Sequence, residues 1–256
     1  MDSEKLRKVA GDARFIHGIH NYCDRWCERC HFTARCLNYA IAEEQFPDRK
    51  SRDVTNEKFW KHLEATFRMT LAMVREFAEE QGIDFDASLA MADAAEKKKK
   101  RTEAGGSALA TAGMEYIRMA NEWFASGKIE DQEQKTGRAD ADRSVSEPGV
   151  RDAVEVIRWY LYPIYVKLLR ALDDDGTDEI AHELGLPRDS DGSAKVSLIA
   201  MDRSIAGWGR LLSAYPGETD AILAILLHLS RLRAATEQGF PAARLFVRPG
   251  FDQEVG

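Results

Sequence analysis

Four cysteines lie within one short stretch of the chain. Cys23, Cys27, Cys30 and Cys36 follow the spacing C-x3-C-x2-C-x5-C, and no other position among the 256 residues is a cysteine. Cysteines that serve core packing would be expected to be scattered, so this concentration indicates a shared ligand. Four thiolates suit a tetrahedral zinc ion or a four-iron cluster, whereas soft sulfur ligands exclude magnesium and calcium.

The compact and uneven spacing favours a [4Fe-4S] cluster over zinc. Four-cysteine zinc sites usually combine two short C-x2-4-C pairs with a longer spacer between them. The intervening residues support a cluster, because aromatic rings would shield it from solvent and arginines would offset its negative charge. These residues are Tyr22, Trp26, Phe32, Arg25, Arg29 and Arg35. The sequence therefore predicts a [4Fe-4S] centre, with zinc as the alternative and His20 as a substitute ligand or hydrogen-bond donor.

Parts of this stretch resemble known ligand motifs. The run C-x2-C-x5-C from Cys27 to Cys36 resembles the iron–sulfur ligands of certain RecB-like nucleases, which implies a four-iron site. The run C-x3-C-x2-C from Cys23 to Cys30 is similar to the radical S-adenosylmethionine signature, a family that needs a β/α barrel. Neither fold's strand pattern is present, so the resemblances support metal chemistry without implying nuclease or radical activity.

Two other interpretations of the cysteines remain open. Cys27-Glu28-Arg29-Cys30-His31 matches C-x-x-C-H, the attachment motif of c-type haem, which implies export to an oxidising compartment. The N-terminus shows no apolar run of the kind a secretory signal has, which argues against export. The other interpretation is that the cysteines are reduced and simply pack on a helix face.

Composition indicates an ordinary globular protein. Hydrophobic residues make up 44% and charged residues 31% of the chain, and the formal net charge is −7. An acidic chain does not attract nucleic acid through its overall field. No uncharged apolar run reaches the roughly 18 residues that a membrane span requires. We therefore expect a cytoplasmic protein without membrane or nucleic-acid partners, in a compartment where structural disulfides are rare.

Apolar residues recur at helical spacing along most of the chain, and no convincing alternating strand pattern is present. The sequence predicts an all-α bundle of five or six main helices, with an N-terminal cysteine-rich metal-binding segment. The predicted helices span 3–30, 55–81, 107–125, 148–172, 194–215 and 218–237. A helix over 3–30 would place Cys23, Cys27 and Cys30 on one face. We expect this helix and the cysteine segment to occupy 1–50 and to be continuous with a bundle over 51–256.

Three bundle residues are candidates for a small-molecule pocket. Asp202 lies on the apolar face of its predicted helix, as a candidate general base or as half of an ion pair with Arg233. Trp208 lies between two glycines that would permit close approach of a helix or ligand, and Tyr160 lies near Pro163. These residues leave open an enzyme with a cavity beside the cluster.

The predicted function is therefore that of a metal-centre protein. It would act in electron transfer, in redox or iron sensing, or as an accessory of a larger enzyme system, with a protein or small-molecule partner. The alternatives are a zinc-stapled helical interaction module without a redox role, and the enzyme just described.

Overall fold

The computed structural model describes residues 8–9, 11–46, 55–88, 90, 107–126, 148–173, 178 and 187–252. Its main elements are helical, and these residues include no strand, which confirms the all-α prediction. The α-helices are α1 (Leu37–Gln45), α2 (Glu57–Glu80), α3 (Ala108–Ala125), α4 (Pro148–Leu172), α5 (Asp189–Ala214) and α6 (Thr219–Gly239). Short 3-10 helices lie at Ile19–Asn21, Cys27–Arg29, Thr33–Arg35, Pro216–Glu218 and Ala243–Leu245.

The chain forms two compact units. The first takes its described residues from Met1–Asn21 and Cys27–Gly105, and the second takes them from Tyr22–Trp26 and Gly106–Gln253. This division groups residues by their contacts and does not show which segments fold alone. The domain boundary expected near residue 50 therefore stays a prediction.

The first unit contains α1 and α2. Phe46, which follows α1, packs its ring against Phe59 at 5.5 Å and His62 at 5.3 Å between centroids, both on α2. Helix α2 is capped by Asn56, whose side chain accepts from the Lys58 backbone N–H at 3.0 Å.

A Schellman turn ends α2. Gly82 adopts the left-handed φ of 69°, as the turn requires. The Ile83 N–H donates to the Ala78 carbonyl at 2.8 Å, and the Gly82 N–H donates to the Glu79 carbonyl at 3.0 Å. The predicted end of this helix at Gly82 is therefore confirmed.

The core of the second unit lies mainly between α4 and α5. Side chains from both helices are fully buried there, among them Ile157, Ile164, Leu168, Leu198, Met201 and Trp208. Although α4 is apolar nearly all round, it is not buried on every side. Tyr162 and Val166 are each 57% exposed, so one face of α4 reaches the surface.

Helix α5 begins at Asp189, five residues before its predicted start. The sequence Asp-Ser-Asp-Gly-Ser reads as a loop, yet Ser190, Asp191 and Ser193 are buried in the first turns of the helix. Two acidic residues in the first turn are favourable because the helix dipole is positive at that end. Most of the residues between α4 and α5, namely 174–177 and 179–186, lie outside the described residues.

The predicted helix over 3–30 is wrong for residues 11–30. That region consists of turns and two 3-10 helices. Gly18 takes a left-handed φ of 73°, and two aspartates replace helical hydrogen bonds with side-chain bonds. Asp12 accepts from the Arg14 N–H at 3.0 Å, and Asp24 accepts from the Trp26 N–H at 3.1 Å.

None of the helices in the described ranges combines the length and the apolar character that crossing a membrane demands.

Two glycines of α5 allow a test of how closely α4 packs on α5. A Cβ at Gly207 would lie 2.9 Å from Ile157 Cγ1 and 3.2 Å from the Ala153 carbonyl, whereas a Cβ at Gly209 would meet nothing within 4 Å. We expect Gly207→Ala to lower the free energy of unfolding by about 1–3 kcal/mol, because overpacking outweighs the gain in helix propensity. Gly209→Ala should raise it by up to about 1 kcal/mol. Urea unfolding followed by tryptophan fluorescence measures both, and equal effects would contradict the close approach.

Candidate metal centre

Cys27 and Cys30 lie at the two ends of one short turn. The Cys30 N–H donates to the Cys27 carbonyl at 3.1 Å, which closes the turn of the 3-10 helix Cys27–Arg29. Cys27 is the first residue of this 3-10 helix, and Cys30 directly follows its last residue. The Phe32 backbone N–H donates to Cys30 Sγ at 3.4 Å. Such bonds stabilise negative charge on a ligand sulfur.

Cys36 occupies the junction between the 3-10 helix Thr33–Arg35 and α1. It is the N-cap residue of α1, in an extended conformation with φ −109° and ψ 112°. The preceding Arg35 carbonyl accepts from the Ile16 N–H at 3.0 Å, which ties the chain before Cys36 back to the residues near Gly18. Local turns and this one longer bond therefore set the backbone around three of the four cysteines.

Long-range contacts of its two neighbours set the backbone at Cys23. The Tyr22 hydroxyl donates to Asp189 Oδ1 at 2.7 Å, and Arg170 holds the same carboxylate through two bonds of 2.8 Å. Gly192 on α5 permits this contact, because a Cβ there would lie only 2.3 Å from the Tyr22 ring. Tyr22 is therefore seated on α5 at a place where only glycine fits.

Asp24 makes the second anchor. Its Oδ2 accepts from the Tyr160 hydroxyl and from Arg203 Nη1, each at 2.6 Å. The Asp24 main-chain carbonyl accepts from Trp159 Nε1 at 3.0 Å. Helices α4 and α5 both contribute a donor to this one residue, so Asp24 is fixed to the centre of the second unit.

Trp26 completes the anchored segment. Its indole is 6% exposed and stacks on Trp159, with ring centroids 4.8 Å apart and an interplanar angle of 16°. Arg25, between Asp24 and Trp26, adopts a φ of 60°. This left-handed conformation is costly for a residue with a Cβ and persists only where the surroundings over-determine it. We refer to residues 22–26 as the anchored segment.

The electrostatics match these contacts. Burial opposes ionisation of Asp24, but hydrogen bonds from Tyr160, the Trp26 N–H and Arg203 outweigh it, so the pKa of this carboxyl lies below its usual range. Burial and the Asp24 charge raise the pKa of Tyr160 to about 12. At neutral pH the pair is therefore a carboxylate that accepts from a protonated phenol.

Basic residues lie close to Cys23. Burial and the charge of Arg170 lower the pKa of Lys167, while the Cys23 sulfur acts in the opposite direction and favours the ammonium form. Arg25 also acts on Lys167 to lower its pKa, and the Asp189 carboxylate, which pairs with Arg170, acts to raise it.

The fit of these residues to a metal rests on their donor chemistry. All four thiols are partly buried and none forms a disulfide. In the described part of the chain, no three side chains of histidine, cysteine, aspartate or glutamate are grouped as a metal ion would require. The donor set suits zinc or an iron–sulfur cluster by ligand type, and assignment of all four cysteines as ligands stays a prediction.

The three candidate pocket residues have separate surroundings. Asp202 is 38% exposed and pairs with Arg233 at 3.1 Å and Arg244 at 2.7 Å, so the predicted ion pair with Arg233 is confirmed. Trp208 is fully buried and donates to the Tyr116 hydroxyl at 3.2 Å. Tyr160 contacts Asp24, as described above. The hydrogen bonds and ion pairs just described for the three side chains go to different partners, and their role as a pocket stays a prediction.

Sequence reasoning missed three residues that position the anchored segment. These residues, Asp24, Asp189 and Arg203, gave no local signal, because each bonds to a partner far away in sequence. The Asp24 and Arg203 pair is separated by 179 positions. The single hint was an aspartate between two cysteines, which spacing alone could not pair.

No protein-family model matches the chain, nor does any curated protein or solved structure.

Removal of the Asp24 side chain should release the anchored segment. Asp24→Ala leaves the Tyr160 hydroxyl without its acceptor, and we expect the free energy of unfolding to fall by about 2–3 kcal/mol. Trypsin should cleave after Arg25 faster than in the unmodified protein, as measured by mass spectrometry of the fragments. Asp12→Ala is the control, because Asp12 also accepts a backbone N–H two residues ahead but pairs only locally. Its effect should stay within about 0.5 kcal/mol, and similar cleavage rates in both variants would contradict the anchor.

Proposed function

We propose that this protein binds a [4Fe-4S] cluster through Cys23, Cys27, Cys30 and Cys36 and acts as a cytoplasmic metal-centre protein. Its tasks would be electron transfer, redox or iron sensing, or support of a larger enzyme system. The observation that carries the proposal is the confinement of every cysteine in the chain to one stretch of fourteen residues, without a disulfide. Clustered thiols in a reducing compartment serve metals more often than they form structural disulfides.

The backbone around the cysteines supports iron–sulfur ligation. Cys27, Cys30 and Cys36 lie in or beside 3-10 turns, where fewer amides are used by a regular helix. One of these amides, that of Phe32, already donates to Cys30 Sγ. Hydrogen bonds to sulfur, together with solvent exposure, set the reduction potential of an iron–sulfur centre. The partial burial of all four thiols is compatible with electron exchange at the surface.

The charge around Cys23 supports the same assignment. Four thiolates carry a large negative charge, and cations nearby reduce the cost of holding it in a half-buried position. Lys167 and Arg170 on α4, with Arg25 on the anchored segment, supply such cations. When bound, a cluster of this type supplies one-electron chemistry; the chain's own residues hold the ligand backbone, donate to sulfur and balance charge.

Purification under anaerobic conditions tests the proposal. We expect a brown protein with about four iron and four sulfide per chain and a broad visible absorbance that bleaches on reduction. Cys27→Ser should lose most of the iron and the colour, since a hydroxyl is a poor substitute for a soft thiolate ligand. Asp202→Asn is the control, because this carboxylate pairs with two arginines and carries no thiol; its iron content should equal that of the unmodified protein.

Other metal contents would decide between the alternatives. One zinc per chain without iron or sulfide would overturn the cluster and support a zinc-stapled interaction module. A protein that takes up neither metal after anaerobic reconstitution would overturn both. If Asp202→Asn lost as much iron as Cys27→Ser, the iron content would depend on the stability of the fold and not on ligation by Cys27.

A further inference from the structure

Helix α2 presents large apolar side chains to solvent. Trp60 is 56%, Phe67 66% and Leu71 47% exposed. Together with Leu63, Glu64 and Arg68 they line an open groove along one face of the helix, which we call the α2 groove. Contiguous exposed apolar surface of this kind marks an interaction site on a protein.

The α2 groove is complementary to itself. A two-fold axis between residues 65 and 66, perpendicular to the helix, exchanges Trp60 with Leu71, Leu63 with Arg68, and Glu64 with Phe67. The six lining residues therefore map onto the same six residues. A symmetric dimer needs such a surface, in which one patch faces a copy of itself. Four of the lining residues are spaced in steps of four, three and four, which is the spacing along the seam of a two-helix coiled coil. These residues are Trp60, Glu64, Phe67 and Leu71.

Charge selects the direction in which two such helices run. Glu64 forms an ion pair with Arg68 of its own helix. In a parallel pair, Glu64 would lie in the same layer as Glu64 of the second copy, and two carboxylates would repel each other. In the antiparallel pair, Glu64 lies opposite Phe67 and beside Arg68 of the second copy, so two pairs of opposite charges meet in the middle of the groove.

We propose that the α2 groove is a self-association surface, on which a second copy of this chain docks its own α2 in antiparallel orientation. The apolar layers Trp60–Leu71 form the two outer contacts, and the Glu64 and Arg68 charges fix the register. The dimer is isologous, so it closes after two copies and does not extend into a filament.

Sedimentation of the purified full chain over a range of concentrations tests the proposal. We expect a monomer–dimer equilibrium, and Phe67→Glu should raise the dimer dissociation constant by at least about 30-fold, because the ring is central to the groove. The matched control is Ala65→Glu, which introduces the same carboxylate at an exposed position on the opposite face of α2. It should leave the dissociation constant within about threefold of the unmodified protein. Circular dichroism should show the same helix content in both variants.

A charge exchange tests whether the Glu64 and Arg68 charges of two copies meet at the groove. Glu64→Lys makes the groove positive and Arg68→Glu makes it negative, so each variant alone should be monomeric. An equimolar mixture should form heterodimers, because opposite charges then face each other. A protein that stays monomeric at every concentration would show that another segment or another protein covers the groove, and would overturn the proposal. Equal weakening by Phe67→Glu and Ala65→Glu, or no heterodimer on mixing, would also overturn it.

Discussion

The Asp24 carboxylate is the point on which the position of the anchored segment depends. Even partial burial of a carboxylate without partners is costly, and Asp24 is stabilised by donors from Tyr160 on α4 and Arg203 on α5. The same residue accepts from Trp159 through its main chain and from the next turn through its Oδ1. These bonds can form together only if α4, α5 and the anchored segment keep one mutual position.

Two kinds of constraint therefore act on the four cysteines. Cys23 is held by tertiary contacts of its neighbours, at the cost of a left-handed Arg25. Cys27, Cys30 and Cys36 are held by short turns whose bonds span three or four residues. A regular helix would have used these amides for its own bonds, whereas the turns leave the Phe32 amide directed at a sulfur. The absence of a regular helix here is thus compatible with metal binding by the cysteines, because hydrogen-bond donors near the thiolates stabilise a metal centre.

Much of the fold could be predicted from local signals. The limits of α3 and α4 agree with their predicted ranges to within a residue, because an apolar stripe and flanking breakers mark them. The start of α5 was missed, since the polar sequence from Asp189 is stabilised there by Arg170 and Tyr22 and not by its own periodicity. The helix predicted across the cysteines failed because side chains at Asp12 and Asp24 bond to nearby amides, which spacing does not reveal.

The sequence by itself determined the chemical inventory, which is four thiols in one stretch and an all-α class. It also named Arg233 as a candidate partner of Asp202, and the structure shows that pair. Only the tertiary structure decided which residues hold the anchored segment. Tyr160 and Arg203 reach Asp24 across 136 and 179 positions, and Lys167 approaches Cys23 from α4. Periodicity reports which face of an element is apolar, but the partner of a single polar atom depends on how those faces are packed together.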